Sequence, residues 1–147
     1  MTPPVAGPPS TVPAGPEPGS RKPLRRALRT LPAVLWMAAI FFSSSSRSIT
    51  EALPEFQQSD KVAHAAVYGI LAALYLFAFA PIAPHRRGRV FLWVIALTAL
   101  YGATDELHQA YVPGRYCAFA DWIANAAGGI AVASGWFLAA GSRRRTT

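Results

Sequence analysis

The sequence predicts an all-α integral membrane protein, a bundle of four transmembrane helices with both termini in the cytoplasm. Three observations carry this. Hydrophobic residues make up 52% of the 147 residues and charged residues only 14%, more apolar surface than a soluble domain of this size hides. The apolar residues gather in blocks long enough to cross about 30 Å of hydrocarbon, which takes about 20 residues at a rise of about 1.5 Å each. The basic residues cluster at the ends of those blocks, where they act as orientation signals.

Residues 1–27 read as a disordered, proline-rich tail that ends in a basic juxtamembrane cluster. MTPPVAGPPSTVPAGPEPGS holds seven prolines, and such a composition buries too little apolar surface to offset the entropy of ordering it. It does not read as a signal peptide, because its basic residues follow it and no small-residue cleavage site closes the next apolar block. A four-helix transmembrane domain is expected over 28–140, with spans near 28–45, 62–83, 90–112 and 119–140, followed by a basic tail over 141–147. Pro32 is expected in the first turn of span one, where a missing N–H costs little, and Pro81 and Pro84 close span two. Gly102, Gly128 and Gly129 lie inside spans, where small residues let helices touch. Ala127, Ala131 and Gly135 repeat a small residue every fourth position to the same end.

Basic residues fall unevenly on alternate sides of these spans. Arg21, Lys22, Arg25, Arg26, Arg29, Arg86, Arg87, Arg89, Arg143, Arg144 and Arg145 share one side, against Arg47, Lys61 and Arg115 on the other. Positive-inside bias then places the protein N-in and C-in, with the loops 43–61 and 112–121 outside. The net charge of +7 is thereby explained by topology and by contact with anionic membrane lipids, and not by nucleic acid, for which basic and aromatic residues would interleave on one surface. One cysteine, Cys117, excludes an intrachain disulfide and a cysteine-rich metal site.

Polar residues collect at the predicted outer ends. Asp60 is followed four residues on by His64 and then by Tyr68, Asp105 by Gln109, and Asp121 by Asn125, a spacing that sets each pair on one helix face. Asp60 and Asp121 sit near helix N-termini, where the helix dipole favours an anion. Asp105 and Glu106 lie in the C-terminal half of span three, where it does not. Residues 90–104 make only about 22 Å of helix, so the helix must run on through the acids to about Val112, leaving them about 10 Å short of its end. An unpartnered carboxylate at bilayer depth costs about 3 kcal/mol on insertion scales. Arg115, just past the Pro113-Gly114 turn, is the expected counter-ion and Lys61 the alternative; His108 falls close to the Asp105 face, and Glu106 points to the next.

These residues resemble the VanZ-like family. Its pattern, as it stands here, is FFSSSSR at the end of span one, DKVAHAAVYG entering span two, TDELHQAYVPGR ending span three and DWIANAAGG entering span four. The resemblance runs from Leu31 to Ala140, with His108 as the one departure. It implies a multi-pass protein of the bacterial cytoplasmic membrane with a role in the cell envelope. The family takes its name from a protein associated with resistance to glycopeptide antibiotics, teicoplanin in particular.

Asp60, His64, Tyr68, Asp105, Glu106, His108, Gln109, Arg115, Asp121 and Asn125 are therefore the candidate site, expected between spans two, three and four. Its expected role is to bind an envelope lipid, a lipid-linked envelope precursor or a glycopeptide-related ligand. Two alternatives stay open: a membrane-embedded enzyme acting on a lipid-linked substrate with Asp105 or Glu106 as acid or base, and a polar cluster that only glues helices together. A proton relay fits four short spans without inverted halves poorly. Asp60, His64, Asp105 and Asp121 offer ligand atoms to a divalent metal, but no helix carries a His-Glu-x2-His arrangement and no loop a phosphate-cradling glycine run, so no metal and no cofactor is expected.

Overall fold

A computed structural model describes residues 21–45, 59–115 and 117–142. Four helices make up the described chain: α1 (Arg21–Ser44), α2 (Ser59–Phe79), α3 (Arg87–Gln109) and α4 (Phe119–Ser142). Each contains a segment long and apolar enough to cross a membrane. The side chains are sorted as lipid demands. Phe42, Val62, Leu92, Leu100 and Leu138 point outward, while Thr98, Asp105, Glu106, Gln109, Asp121 and Asn125 are buried; polar groups inside a bundle find partners that lipid cannot supply.

The helices alternate in direction. Lys61 and Asp121 pair at the starts of α2 and α4, and Ser45 meets His108 at the ends of α1 and α3. One end of the bundle thus gathers the acids and the other gathers Arg25, Arg26, Arg29, Arg86, Arg87 and Arg89. At this arginine-bearing end, Arg87 donates to Phe137 O at 2.7 Å and stacks over the Phe137 ring, tying the start of α3 to the last turns of α4, where carbonyls and dipole both favour a cation.

The α2–α4 interface is the most extensive, and α1 does not touch α4. Gly128 explains the first point. A Cβ there would lie 2.7 and 2.9 Å from Ala65 C and Cα and closer still to the Ala65 carbonyl oxygen, so the two backbones touch as only glycine permits. Gly129 makes room for the Thr98 side chain of α3, whose Cγ2 would lie 2.7 Å from a Cβ there. The row of Ala127, Ala131 and Gly135 has no such role, because all three are exposed and a Cβ on Gly135 would meet nothing. Two rows of small residues run along α4, and the buried one is set by the 100° offset between them. Below the polar end, Tyr68, Leu71, Ala72, Leu76, Val90, Val94 and Ala133 form the apolar core.

Helix ends differ from the predicted spans in physically readable ways. The first helix starts at Arg21, taking in the basic cluster, whose arginines are good helix formers. Pro23 then occupies the first turn and Pro32 the helix interior. The second stops at Phe79, because Pro81 and Pro84 make the chain turn, with Ile82 N–H bonded to Phe79 O. The third ends at Gln109 and not Val112: Tyr111 and Val112 donate to His108 and Gln109 carbonyls, a tightening turn ahead of Pro113. The acids therefore stand in the last turn and a half of α3, about 5 Å from its end.

Candidate functional site

The loop after α3 is built to send Arg115 back. Gly114 adopts φ 81°, a left-handed conformation that glycine takes without strain, and Arg115 N–H closes the turn onto Val112 O at 3.1 Å. The guanidinium then reaches α1, donating to Ser43 O at 3.3 Å. Arg115 and Asp105 line one cavity of about 220 Å³ together with Ser43, Ser44, Asp60, His64, Tyr68 and Gln109. Its other wall is apolar: Trp36, Ala39, Ile40, Ala63 and Val67.

Asp105 is 5% exposed. Its Oδ2 accepts from the Tyr68 hydroxyl and from Gln109 Nε2, each at 3.1 Å, as the four-residue spacing of Asp105 and Gln109 predicts; Oδ1 has no hydrogen-bond partner. Glu106, on the adjoining face, accepts from the Ala118 backbone N–H at 3.1 Å through Oε2, which fastens the loop to α3, while Oε1 has no hydrogen-bond partner. Two buried carboxylates thus each keep one oxygen unpartnered, a state that calls for a further donor, cation or proton.

Lys61 takes another place than the one anticipated as a counter-ion to these acids. Its ammonium pairs with Asp121, held at the start of α4. His64 lies between: Nδ1 is 3.0 Å from Asn125 Oδ1 and Nε2 is 3.7 Å from Asp60 Oδ1. Asn125 is fully buried, and its amide fills the space that Gly102 leaves open, since a Cβ on that glycine would sit 3.2 Å from Asn125 Cβ.

Six of the ten candidate residues, Asp60, His64, Tyr68, Asp105, Gln109 and Arg115, line the cavity. Glu106, Asp121 and Asn125 stand behind it. His108 is apart, stacked on Phe41 at 4.5 Å between centroids with Nε2 2.9 Å from Ser45 Oγ. The Ser45 hydroxyl has one proton and donates it to Phe41 O at 2.8 Å, so His108 is the donor to Ser45. That arrangement closes the end of α1 and does not activate a nucleophile.

The predicted site used spans two, three and four; the cavity is bounded by α1, α2 and α3. Packing is the reason. Glycine contacts press α4 onto α2 and α3, whereas α1 packs less extensively and leaves room beside α2. The α1 wall was not legible: the serine run read as the polar end of span one, and Trp36, Ala39 and Ile40 look like any apolar span. Trp36 Nε1 donates to Val67 O at 3.0 Å, which turns the indole inward.

Against this geometry the comparisons with known proteins are narrow. Neither curated proteins nor solved structures give a match. The family model described as VanZ/LLP1 matches residues 30–140, a stretch that takes in the serine-marked end of α1, both acid-bearing helix starts, the Pro-Gly turn and the whole cavity lining. With well over half its length and the greater part of all four apolar helices inside that match, the chain is a multi-pass membrane protein that belongs to the VanZ/LLP1 family.

Proposed function

We propose that the cavity between α1, α2 and α3 binds the headgroup of an envelope lipid or lipid-linked envelope precursor from the outer leaflet, with the protein oriented N-in and C-in. The observation that carries this reading is the two-sided lining: Arg115, Asp60, His64, Asp105, Gln109 and two serines on one side, and Trp36, Ala39, Ile40, Ala63 and Val67 on the other. Drug-sized ligands fill roughly 300–1,000 Å³. At about 220 Å³ the space suits a headgroup, with the hydrocarbon tail left against the exposed apolar surface. Arg115 supplies the charge for a phosphate or carboxylate, and Asp105 Oδ1 accepts from a hydroxyl or amine on the same headgroup. A sugar-phosphate lipid offers both. Membership of a family associated with antibiotic resistance agrees with an envelope ligand; a glycopeptide-type resistance role for this member is part of the proposal.

Native mass spectrometry of detergent-purified protein tests it. Retained lipid is expected in the wild type and is expected to be lost in Arg115→Ala and Asp105→Asn at unchanged folding. Equal retention in all three sinks the reading and leaves the polar cluster as helix glue. Conversion of the retained lipid would make the site that of an enzyme, with His64 and Asp105 facing the substrate.

A further inference from the structure

At the edge of the cavity, the starts of α2 and α4 bring two of its polar residues together with Asp121. Asp60, His64 and Asp121 each offer one ligand atom, and these atoms lie within 4.8 Å of one another. We propose that these three residues bind a divalent transition-metal ion of the zinc or manganese class, and that Asn125 positions the imidazole for it. The proposal shares Asp60 and His64 with the cavity lining and adds Asp121, which is not part of it.

The donor set suits the ion. One imidazole and two carboxylates favour a borderline metal over calcium or magnesium, which prefer oxygen alone. Metal bonds of about 2.0–2.2 Å set ligand atoms roughly 3.3–3.6 Å apart in a tetrahedron, and His64 Nε2 already stands 3.7 Å from Asp60 Oδ1. With Asn125 Oδ1 accepting from Nδ1, the ring proton is on Nδ1 and the Nε2 lone pair faces Asp60 Oδ1. Metal-binding histidines are commonly oriented by an outer hydrogen bond of this kind. The backbone positions are rigid, because Gly128 locks α4 against Ala65, one residue beyond His64.

Two further observations favour a cation at this place. Among the described residues, the acid-bearing end holds four carboxylates, Asp60, Asp105, Glu106 and Asp121, against two cations, Lys61 and Arg115; one divalent ion balances them. Glu106, 3% exposed and with Oε1 unpartnered, adds a buried carboxylate oxygen at the same end of the bundle. The Lys61 ammonium on Asp121 stands in for part of the ion's charge. Its side chain is 46% exposed, so it has a path into solvent when a metal arrives, and it acts as a competitor for Asp121.

The test uses the full chain in detergent, stripped with chelator, titrated with Zn²⁺ by calorimetry and with Co²⁺ by visible absorption. Saturable uptake near one equivalent is expected. Affinity should fall by about 10–100-fold in Asn125→Ala, an outer partner, and further in His64→Ala and Asp121→Asn, and it should rise in Lys61→Met. Circular dichroism and thermal midpoints identify any variant that fails to fold, and Asp60→Asn, at a side chain half exposed to solvent, serves in its place. No uptake by either the wild type or Lys61→Met overturns the proposal, as does uptake that survives His64→Ala and Asp121→Asn but disappears in His85→Ala or His108→Ala. The lipid reading has its own readout in Arg115→Ala, which should keep the metal and lose the lipid.

Discussion

Tyr68 of α2 and Gln109 of α3 hold one oxygen of Asp105, and this shared acceptor ties the two helices together in the buried interior. Hydrogen bonds between membrane helices average about 0.6 kcal/mol, and those to charged groups in proteins reach about 1.5–3 kcal/mol. Tyr68→Phe should therefore destabilise the folded bundle by about 1–2 kcal/mol, read as a lower thermal midpoint in detergent; no shift would mean that Asp105 finds another donor at no cost. Ser45→Ala separates helix capping from chemistry. Because the Ser45 proton is already given to Phe41 O, the variant should retain ligand and function with at most about 1 kcal/mol lost, and abolished function would show a chemical role for Ser45 beyond closing the helix. The i,i+4 pairing of Asp105 with Gln109 was legible because helical geometry is local. The partner of Lys61 was not, since Lys61 and Asp121 are 60 residues apart and meet only when α2 and α4 pack.

Helices bring a different lesson, visible in the two small-residue rows of α4. Gly128 and Gly129 face α2 and α3, and Ala127, Ala131 and Gly135 face outward. Sequence spacing treats both rows as packing surfaces, and only the neighbours distinguish them. Gly128→Ala forces a methyl into the Ala65 backbone, which cannot rotate away; overpacking of this kind costs about 1–3 kcal/mol and more where backbones must part. It should prevent recovery of folded protein or lower its midpoint sharply. Gly135→Ala, with open space around the new methyl, should lie within about 1 kcal/mol of the wild type and gain slightly from helix propensity. Equal effects of the two substitutions would contradict the α2–α4 packing. The Pro-Gly turn is the element where sequence and structure agree most closely: a glycine at positive φ redirects the chain, and Arg115 follows it back to the cavity.

Across the whole molecule, charge asymmetry is the organising feature. Alternating helix directions put every described carboxylate at one end and most arginines at the other. Positive-inside bias turns that asymmetry into an orientation, and the single cysteine provides a probe for it. Cys117 is exposed in the loop between α3 and α4, at the acid-bearing end. A membrane-impermeant maleimide should label it in intact cells without permeabilisation. Labelling that requires permeabilised cells would reverse the topology and carry the cavity to the cytoplasmic leaflet.

By itself the sequence determined four apolar helices, their order, and the end of the bundle that carries the acids. Those properties follow from hydropathy, proline and glycine chemistry, and helical period, all of which act within about 20 residues of chain. Tertiary structure decided which wall of the bundle opens. Glycines press α4 closed against α2, the looser fit of α1 leaves the cavity, and the local pair of Asp60 and His64 meets Asn125 and Asp121, which lie far away in the chain. No local pattern encodes the distance between two packed backbones, and that distance separates a sealed interface from a binding site.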